Sequence, residues 1–209
     1  MLKEILKSKL SRFTPRLLGV EGGLKVFPDL ASIKVYRFDP ATDSSHKYDA
    51  FENIPYKDHS VLEVLQFIYE NRDPSLSFRR LCTKGFCGGC AVVVNGQPVL
   101  ACQYPAEKEM ILDPHPKFEV IRDLSVDFNR LRPGYSSDSR AGRKGLTMIH
   151  LDLKKCVHCR DCIFICPVGV WQWNKEAKRV EIADPASCLG PSCRQCSDSC
   201  WKEAIQVTR

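Results

Sequence analysis

Apolar positions along the chain fall into segments of different period. In residues 1–30, Leu2, Ile5, Leu6, Leu10, Phe13 and Leu17 recur near helical spacing, with Lys3, Lys7, Lys9, Arg12 and Arg16 between them. Pro15 interrupts any single helix there. This reads as an N-terminal extension that docks on the body of the protein or on a partner. A membrane-surface helix and a cleaved transit peptide are the alternatives. From Ile33 the texture changes. Ile33, Val35 and Tyr36–Phe38 predict a strand closed by Asp39-Pro40, and Tyr48 to Ile54 a second. Asp58 or Ser60 caps a helix whose apolar stripe is Val61, Leu62, Val64, Leu65 and Ile68, ended by Asp73-Pro74. Ala91–Val94, a turn at Asn95-Gly96 and Val99-Leu100 form a strand–turn–strand signature. Residues 31–128 therefore read as a small α+β domain.

Residues 129–147 are rich in Arg, Ser and Gly and form the best linker candidate, with an ordered loop over a partner as the other reading. After Met148 the chain repeats itself. One copy runs from LDLKKC to PVGVWQW, the other from EIADPASC to WKEAIQV. Each predicts a β segment, a loop, the start of a helix and another β segment. Residues 148–209 are too few to bury a convincing apolar core alone. Something other than side chains is expected at their centre.

Cysteine supplies it. The chain has 12 cysteines in 209 residues, all in three groups of four. Disulfides would favour an exported protein, and the N-terminus lacks the apolar core and small-residue cleavage site of a signal peptide. Tight Cys-x-x-Cys runs then read as metal ligation, by clusters or by zinc.

The first group, Cys82-x4-Cys87-x2-Cys90-x11-Cys102, has plant-type [2Fe–2S] spacing. Gly85, Gly88 and Gly89 allow a loop to wrap closely with its amides facing inward. Four-plus-two spacing in a glycine-rich loop is not a usual zinc knuckle. The second group, Cys156-x2-Cys159-x2-Cys162-x3-Cys166-Pro167, is the bacterial two-cluster ferredoxin run. The third, Cys188-x4-Cys193-x2-Cys196-x3-Cys200, keeps that rhythm but widens the first gap and puts Trp201 where proline is usual. A [3Fe–4S] centre is the alternative there, although four thiolates favour a full cubane. Crossed ligation, as in two-cluster ferredoxins, assigns Cys156, Cys159, Cys162 and Cys200 to one [4Fe–4S] cluster. Cys166, Cys188, Cys193 and Cys196 hold the other. His158 reads as a loop residue tuning local charge, and Trp171, Trp173 and Trp201 as shields against water. A ligand role for His158 and relay roles for the tryptophans are the sharper alternatives.

With these motifs placed, IKVYRFDP, the stretch from VLEVLQF to VVVNGQPVLAC, and FEVIRDLSVD resemble the iron–sulfur subunit of succinate dehydrogenase and fumarate reductase over roughly residues 31–128. The resemblance implies a [2Fe–2S] cluster in a β-grasp domain and an FAD-bearing flavoprotein partner that performs dicarboxylate chemistry. The second half departs from that family, whose longer helical domain contributes to a quinone site. Here it looks like a compact two-cluster bacterial ferredoxin, which puts the quinone role in doubt.

The expected function is electron transfer between a flavoprotein and another carrier or a quinone-reactive subunit. The alternatives are an adaptor for a different flavoenzyme or disulfide reductase, and a zinc-stabilised interaction module. No nucleophile with a base and no acid–base pair offers catalysis by the chain itself. A net charge of +6, from 31 basic and 25 acidic residues spread evenly, is too mild for nucleic-acid binding. The longest apolar run is far shorter than the roughly 20 residues of a membrane span. A cytoplasmic chain, membrane-associated only through its partners, is expected.

Overall fold

The computed structural model describes residues 29–135 and 148–208. The helical periodicity of residues 1–28, and residues 136–147 of the expected linker, lie outside the described residues. Strands dominate and helices are few and short.

Two strands open the chain, β1 (Leu30–Arg37) and β2 (Lys47–Pro55). Helix α1 (Val61–Asn71) follows. Of the two candidate caps, Ser60 holds the role. Its Oγ accepts from the Glu63 N–H, and the Glu63 carboxylate accepts from the Ser60 N–H. This reciprocal box satisfies two donors that a helix start leaves unpaired. Asp58 instead sits at φ +60° in the preceding turn. All five residues of the predicted apolar stripe are buried.

Strands β3 (Ala91–Val94), β4 (Gln97–Leu100) and β5 (Glu109–Pro114) complete a five-stranded sheet in the order β2-β1-β5-β3-β4. Its one parallel pair is β1 with β5. A hairpin of β6 (Phe118–Arg122) and β7 (Ser125–Leu131) leaves this sheet. Strand β7 runs three residues past 128.

Arg37, at the end of β1, ties these parts together. It donates to Asp123 at 3.1 Å, to Asp49 at 3.2 Å, to Ser75 at 2.8 Å and to Asp73. Asp123 also accepts the backbone N–H groups of Phe38 and Ser77. That is why β1 stops at Arg37. The network anchors residues 73–77, the approach to the first cysteine loop, against the sheet.

The second unit is built from two antiparallel pairs, β8 (Met148–Leu151) with β11 (Ile205–Thr208) and β9 (Trp171–Asn174) with β10 (Arg179–Ile182). Two short helices, α2 (Asp161–Ile165) and α3 (Gln195–Asp198), touch each other between the pairs. The halves are related by the sequence repeat. Each short helix starts from an arginine in the left-handed region, Arg160 at φ +73° and Arg194 at φ +51°, directly after the second cysteine of its run.

One apolar core is continuous through both units, from Ile33, Val64 and Leu65 to Val168, Trp171 and Leu189. Polar contacts close the seam. Lys117 donates to the carbonyls of Val168 and Gly169 and pairs with Asp184 at 3.0 Å. Tyr135 donates to Asp184, and buried His115 meets the Ser187 carbonyl at 3.3 Å. Tyr135, which the composition assigned to the linker, is thus fastened to the second unit.

Candidate metal-cluster centres

All 12 cysteines are free thiols. Among the described residues they do not converge on single-ion positions; they stand around wider spaces.

The first quartet lies on the loop between Ser77 and β3 and just after β4. Cys90 and Cys102 approach to 3.3 Å between sulfurs, the proximity expected of two thiolates sharing one iron. The loop turns its amides onto sulfur. Cys87 N–H donates to Cys82 Sγ and Gly89 N–H to Cys87 Sγ, each at 3.4 Å, and Gln103 reaches Cys102 Sγ at 3.7 Å. Gly85 and Gly88 have φ of +82° and +70°, as their spacing demands. Gly89 does not; it leaves room for Leu81. Hydrogen bonds from the loop, the Lys84 amide foremost and then Cys87, hold the half-buried Cys82 thiol well below its ordinary pKa. Burial drives Cys90 the other way. Around this loop Leu81 and Phe86 stand exposed, Phe86 at 76%, beside Arg79, Arg80 and Lys84.

The remaining eight thiols line two cavities in the second unit. One is bordered by Cys156, Cys159, Cys162 and Cys200, with Cys196 at its edge. The other is bordered by Cys166, Cys188, Cys193 and Cys196. Leu151, Val180 and Ile205 wall the first; Ile149, Val170, Trp171 and Leu189 wall the second. Backbone donors occupy matching places. Val170 N–H meets Cys166 Sγ at 3.3 Å and Ala204 N–H meets Cys200 Sγ at 3.4 Å.

Burial pushes the Cys162 and Cys188 thiols up to about 12 and Cys193 up to about 11, with neighbouring sulfurs adding to the rise. Crowded thiolates in a dry cavity need positive charge among them. Iron supplies it, so the donor chemistry and the cavities fit metal–sulfide clusters.

The seats are not equally distant from the first loop. Gly88 packs on Pro167, Gln195 donates to the Gly85 carbonyl at 2.8 Å, and Leu100 N–H donates to Ser192 at 3.1 Å. Pro167, Ser192 and Gln195 each adjoin a cysteine of the second cavity. No sequence signal pointed to Ser192, Gln195 or Lys117; their partners lie far away in the chain.

The other residues singled out behave differently from one another. His158 Nδ1 accepts the Val180 N–H at 3.3 Å and lies 3.3 Å from Cys156 Sγ. A ring nitrogen that accepts a hydrogen bond carries no hydrogen to donate to sulfur. Trp171 is buried and Trp173 is half-buried under the Arg160 guanidinium. Trp201 stands 65% exposed at the rim of the first cavity, with the Lys202 ammonium over its ring.

Residues 32–132 match a 2Fe-2S iron-sulfur cluster binding domain, and residues 148–171 a 4Fe-4S binding domain. An uncharacterized iron-sulfur protein of Methanocaldococcus jannaschii is 32% identical over 66% of this chain and 30% of its own length. A fumarate reductase (CoM/CoB) subunit of Methanothermobacter marburgensis is 33% identical over the same shares. The mitochondrial succinate dehydrogenase [ubiquinone] iron-sulfur subunit 3 of Arabidopsis thaliana is 33% identical over 75% of this chain and 55% of that one. The chain thus spans under a third of the first two relatives and about half of the third. Among the described residues no helix is long and apolar enough to cross a membrane.

Proposed function

We propose that this chain, a homologue of the iron–sulfur subunits of succinate dehydrogenase and fumarate reductase, is the electron-transfer subunit of such a complex. Its cytoplasmic placement, its FAD-bearing catalytic partner and the dicarboxylate substrate of that partner belong to the same proposal. The single observation that carries it is the line of thiol quartets. The Cys82, Cys87, Cys90 and Cys102 loop abuts the residues flanking Cys166, Cys193 and Cys196, and the cavity of Cys156, Cys159, Cys162 and Cys200 lies beyond, lined by no residue before Leu151.

In this reading the first quartet holds a [2Fe–2S] cluster in a β-grasp domain, supported by the mixed β2-β1-β5-β3-β4 sheet with one helix. The two cavities hold [4Fe–4S] clusters with Cys166 and Cys200 exchanged between the runs. Bound clusters supply one-electron storage, and the substrate chemistry belongs to the flavin of the partner. The chain's own residues fix the seats, exclude water through Leu189, Val170 and Val180, and aim N–H donors at the sulfurs. The proposed division is 1–30 as an extension, 31–128 as the [2Fe–2S] unit, 129–147 as the linker and 148–209 as the second unit, with β7 carrying the first unit on to Leu131.

Anaerobic purification of the native complex tests this reading. A flavoprotein carrying FAD that reduces fumarate or oxidises succinate should copurify with the chain. A partner free of flavin, or a flavoprotein inert toward both acids, overturns the assignment.

A further inference from the structure

The repeat in the second unit makes each cavity a control for the other. Cys159, Arg160, Cys162 and Cys166 map one-to-one onto Cys193, Arg194, Cys196 and Cys200. The match extends along the strands that follow. Val170 and Ala204 give equivalent backbone donors to Cys166 and Cys200. The next position breaks the equivalence: it is Trp171 in one half and Ile205 in the other, and each lines the cavity that takes the fourth cysteine of its own half, Cys166 or Cys200, together with the first three of the other run.

Trp171 is 4% exposed, so its indole is removed from water. Its Nε1 is the one buried side-chain nitrogen or oxygen among the described residues without a hydrogen-bond partner. An orphaned N–H in such a place costs stability unless an acceptor meets it. The wall that Trp171 shares with Cys166, Cys188, Cys193 and Cys196 presents sulfur. At the equivalent place the first cavity has Ile205, which carries no donor; His158 beside Cys156 has its Nδ1 engaged as an acceptor, and the Trp201 indole stands exposed at the rim.

We infer that the Trp171 indole N–H is a donor to the sulfur of the cluster seated by Cys166, Cys188, Cys193 and Cys196, and that it sets that cluster's reduction potential above its twin's. The reason is electrostatic. Reduction adds negative charge to the cluster, and a fixed N–H dipole aimed at sulfur favours the reduced form. Trp171 is a positioning residue in this sense; it neither ligates nor conducts. The inference rests on the two-cubane reading of the second unit.

The test is a potentiometric titration of the anaerobic full-length chain, followed by electron paramagnetic resonance, in wild type, Trp171→Phe and Trp173→Phe. Phenylalanine keeps the aromatic plane and removes the N–H. In Trp171→Phe one cubane's ratio of reduced to oxidised form should fall about tenfold at fixed potential, a downward shift of about 59 mV for a one-electron couple. The other cubane and the [2Fe–2S] signal should not move, and Trp173→Phe should shift neither cubane. Two cubane signals with unchanged midpoints in Trp171→Phe, or equal shifts in both variants, overturn the inference. Absence of any cubane signal in wild type overturns the reading beneath it instead. Should Trp171→Phe lose its cluster, the wild type alone decides. Electron–nuclear double resonance in D2O should show an exchangeable deuteron coupled to one reduced cubane that remains when the backbone couplings common to both are matched, and its absence contradicts the proposal.

Discussion

Gly88 and Pro167 meet across the seam between the two units: a Cβ placed on Gly88 would lie 2.2 Å from Pro167 Cβ. No residue but glycine fits there without moving a ligand-bearing loop, since Gly88 is flanked by Cys87 and Gly89 and Pro167 follows Cys166. Gly88→Ala should therefore push the first quartet away from the second cavity, besides placing alanine at φ +70°, which costs about 1–2 kcal/mol. Gly96→Ala supplies the control, because Gly96 has φ +84° but nothing within 4 Å of its would-be Cβ. Spin–spin broadening between the reduced [2Fe–2S] signal and its neighbour should weaken in Gly88→Ala and persist in Gly96→Ala.

Cysteine replacement should separate the first centre from the others. Cys87 is exposed, and its loop meets the second unit through the Gly85 carbonyl and Gly88. Cys87→Ala should abolish the [2Fe–2S] resonance and leave both cubane signals. Simultaneous loss of all three would show that the units do not hold their centres independently.

Arg37 neutralises a buried carboxylate. Its side chain and that of Asp123 are 10% and 3% exposed. Arg37→Met removes the close cation and leaves Asp123 buried with only the more exposed Arg122 at 4.0 Å, so the cost should approach about 3 kcal/mol, that of a broken buried pair. Chemical unfolding followed by bleaching of the visible absorption should show the [2Fe–2S] band lost at lower denaturant. Asp123→Asn keeps an acceptor for only one of Phe38 and Ser77, which meet different carboxylate oxygens, and should destabilise as well.

Lys117 plays the same part at the seam. It faces Asp184 and the Val168 and Gly169 carbonyls, and the Asp184 carboxyl is held below its ordinary range: burial opposes ionisation, but hydrogen bonds from Ser187, Lys117 and Tyr135 outweigh it. Lys117→Met should cost about 3 kcal/mol by leaving that carboxylate without a cation. Differential scanning calorimetry should record a lower melting temperature, with faster loss of cubane absorption in air.

Local rules made much of this molecule legible. The cysteine rhythm marked the quartets, and Ser60 with Glu63 carried its capping box in plain sequence. The stripe from Val61 to Ile68 foretold its buried face. What escaped depends on contacts distant in the chain. Nothing about Glu109–Pro114 announces a parallel pairing with β1, because its partners Ser32 to Val35 lie some seventy residues away. Gly88 reads as a turn glycine, and its turn geometry is real. The neighbour that makes it irreplaceable belongs to another unit. Trp171 and Trp201 look equivalent beside their cysteines, yet one is walled in by Leu189 and Val170 and the other faces solvent. Tyr135 sits in a stretch whose composition says linker, while its hydroxyl is bound to Asp184 and Ser187.

The most direct measurement is metal and sulfide analysis of the anaerobically purified chain, joined to electron paramagnetic resonance after dithionite reduction. Three centres require about ten irons and ten sulfides per chain, a brown protein, one [2Fe–2S] signal and two interacting [4Fe–4S] signals. A colourless chain with zinc at its thiols, or with its sulfurs paired as disulfides, would contradict the account.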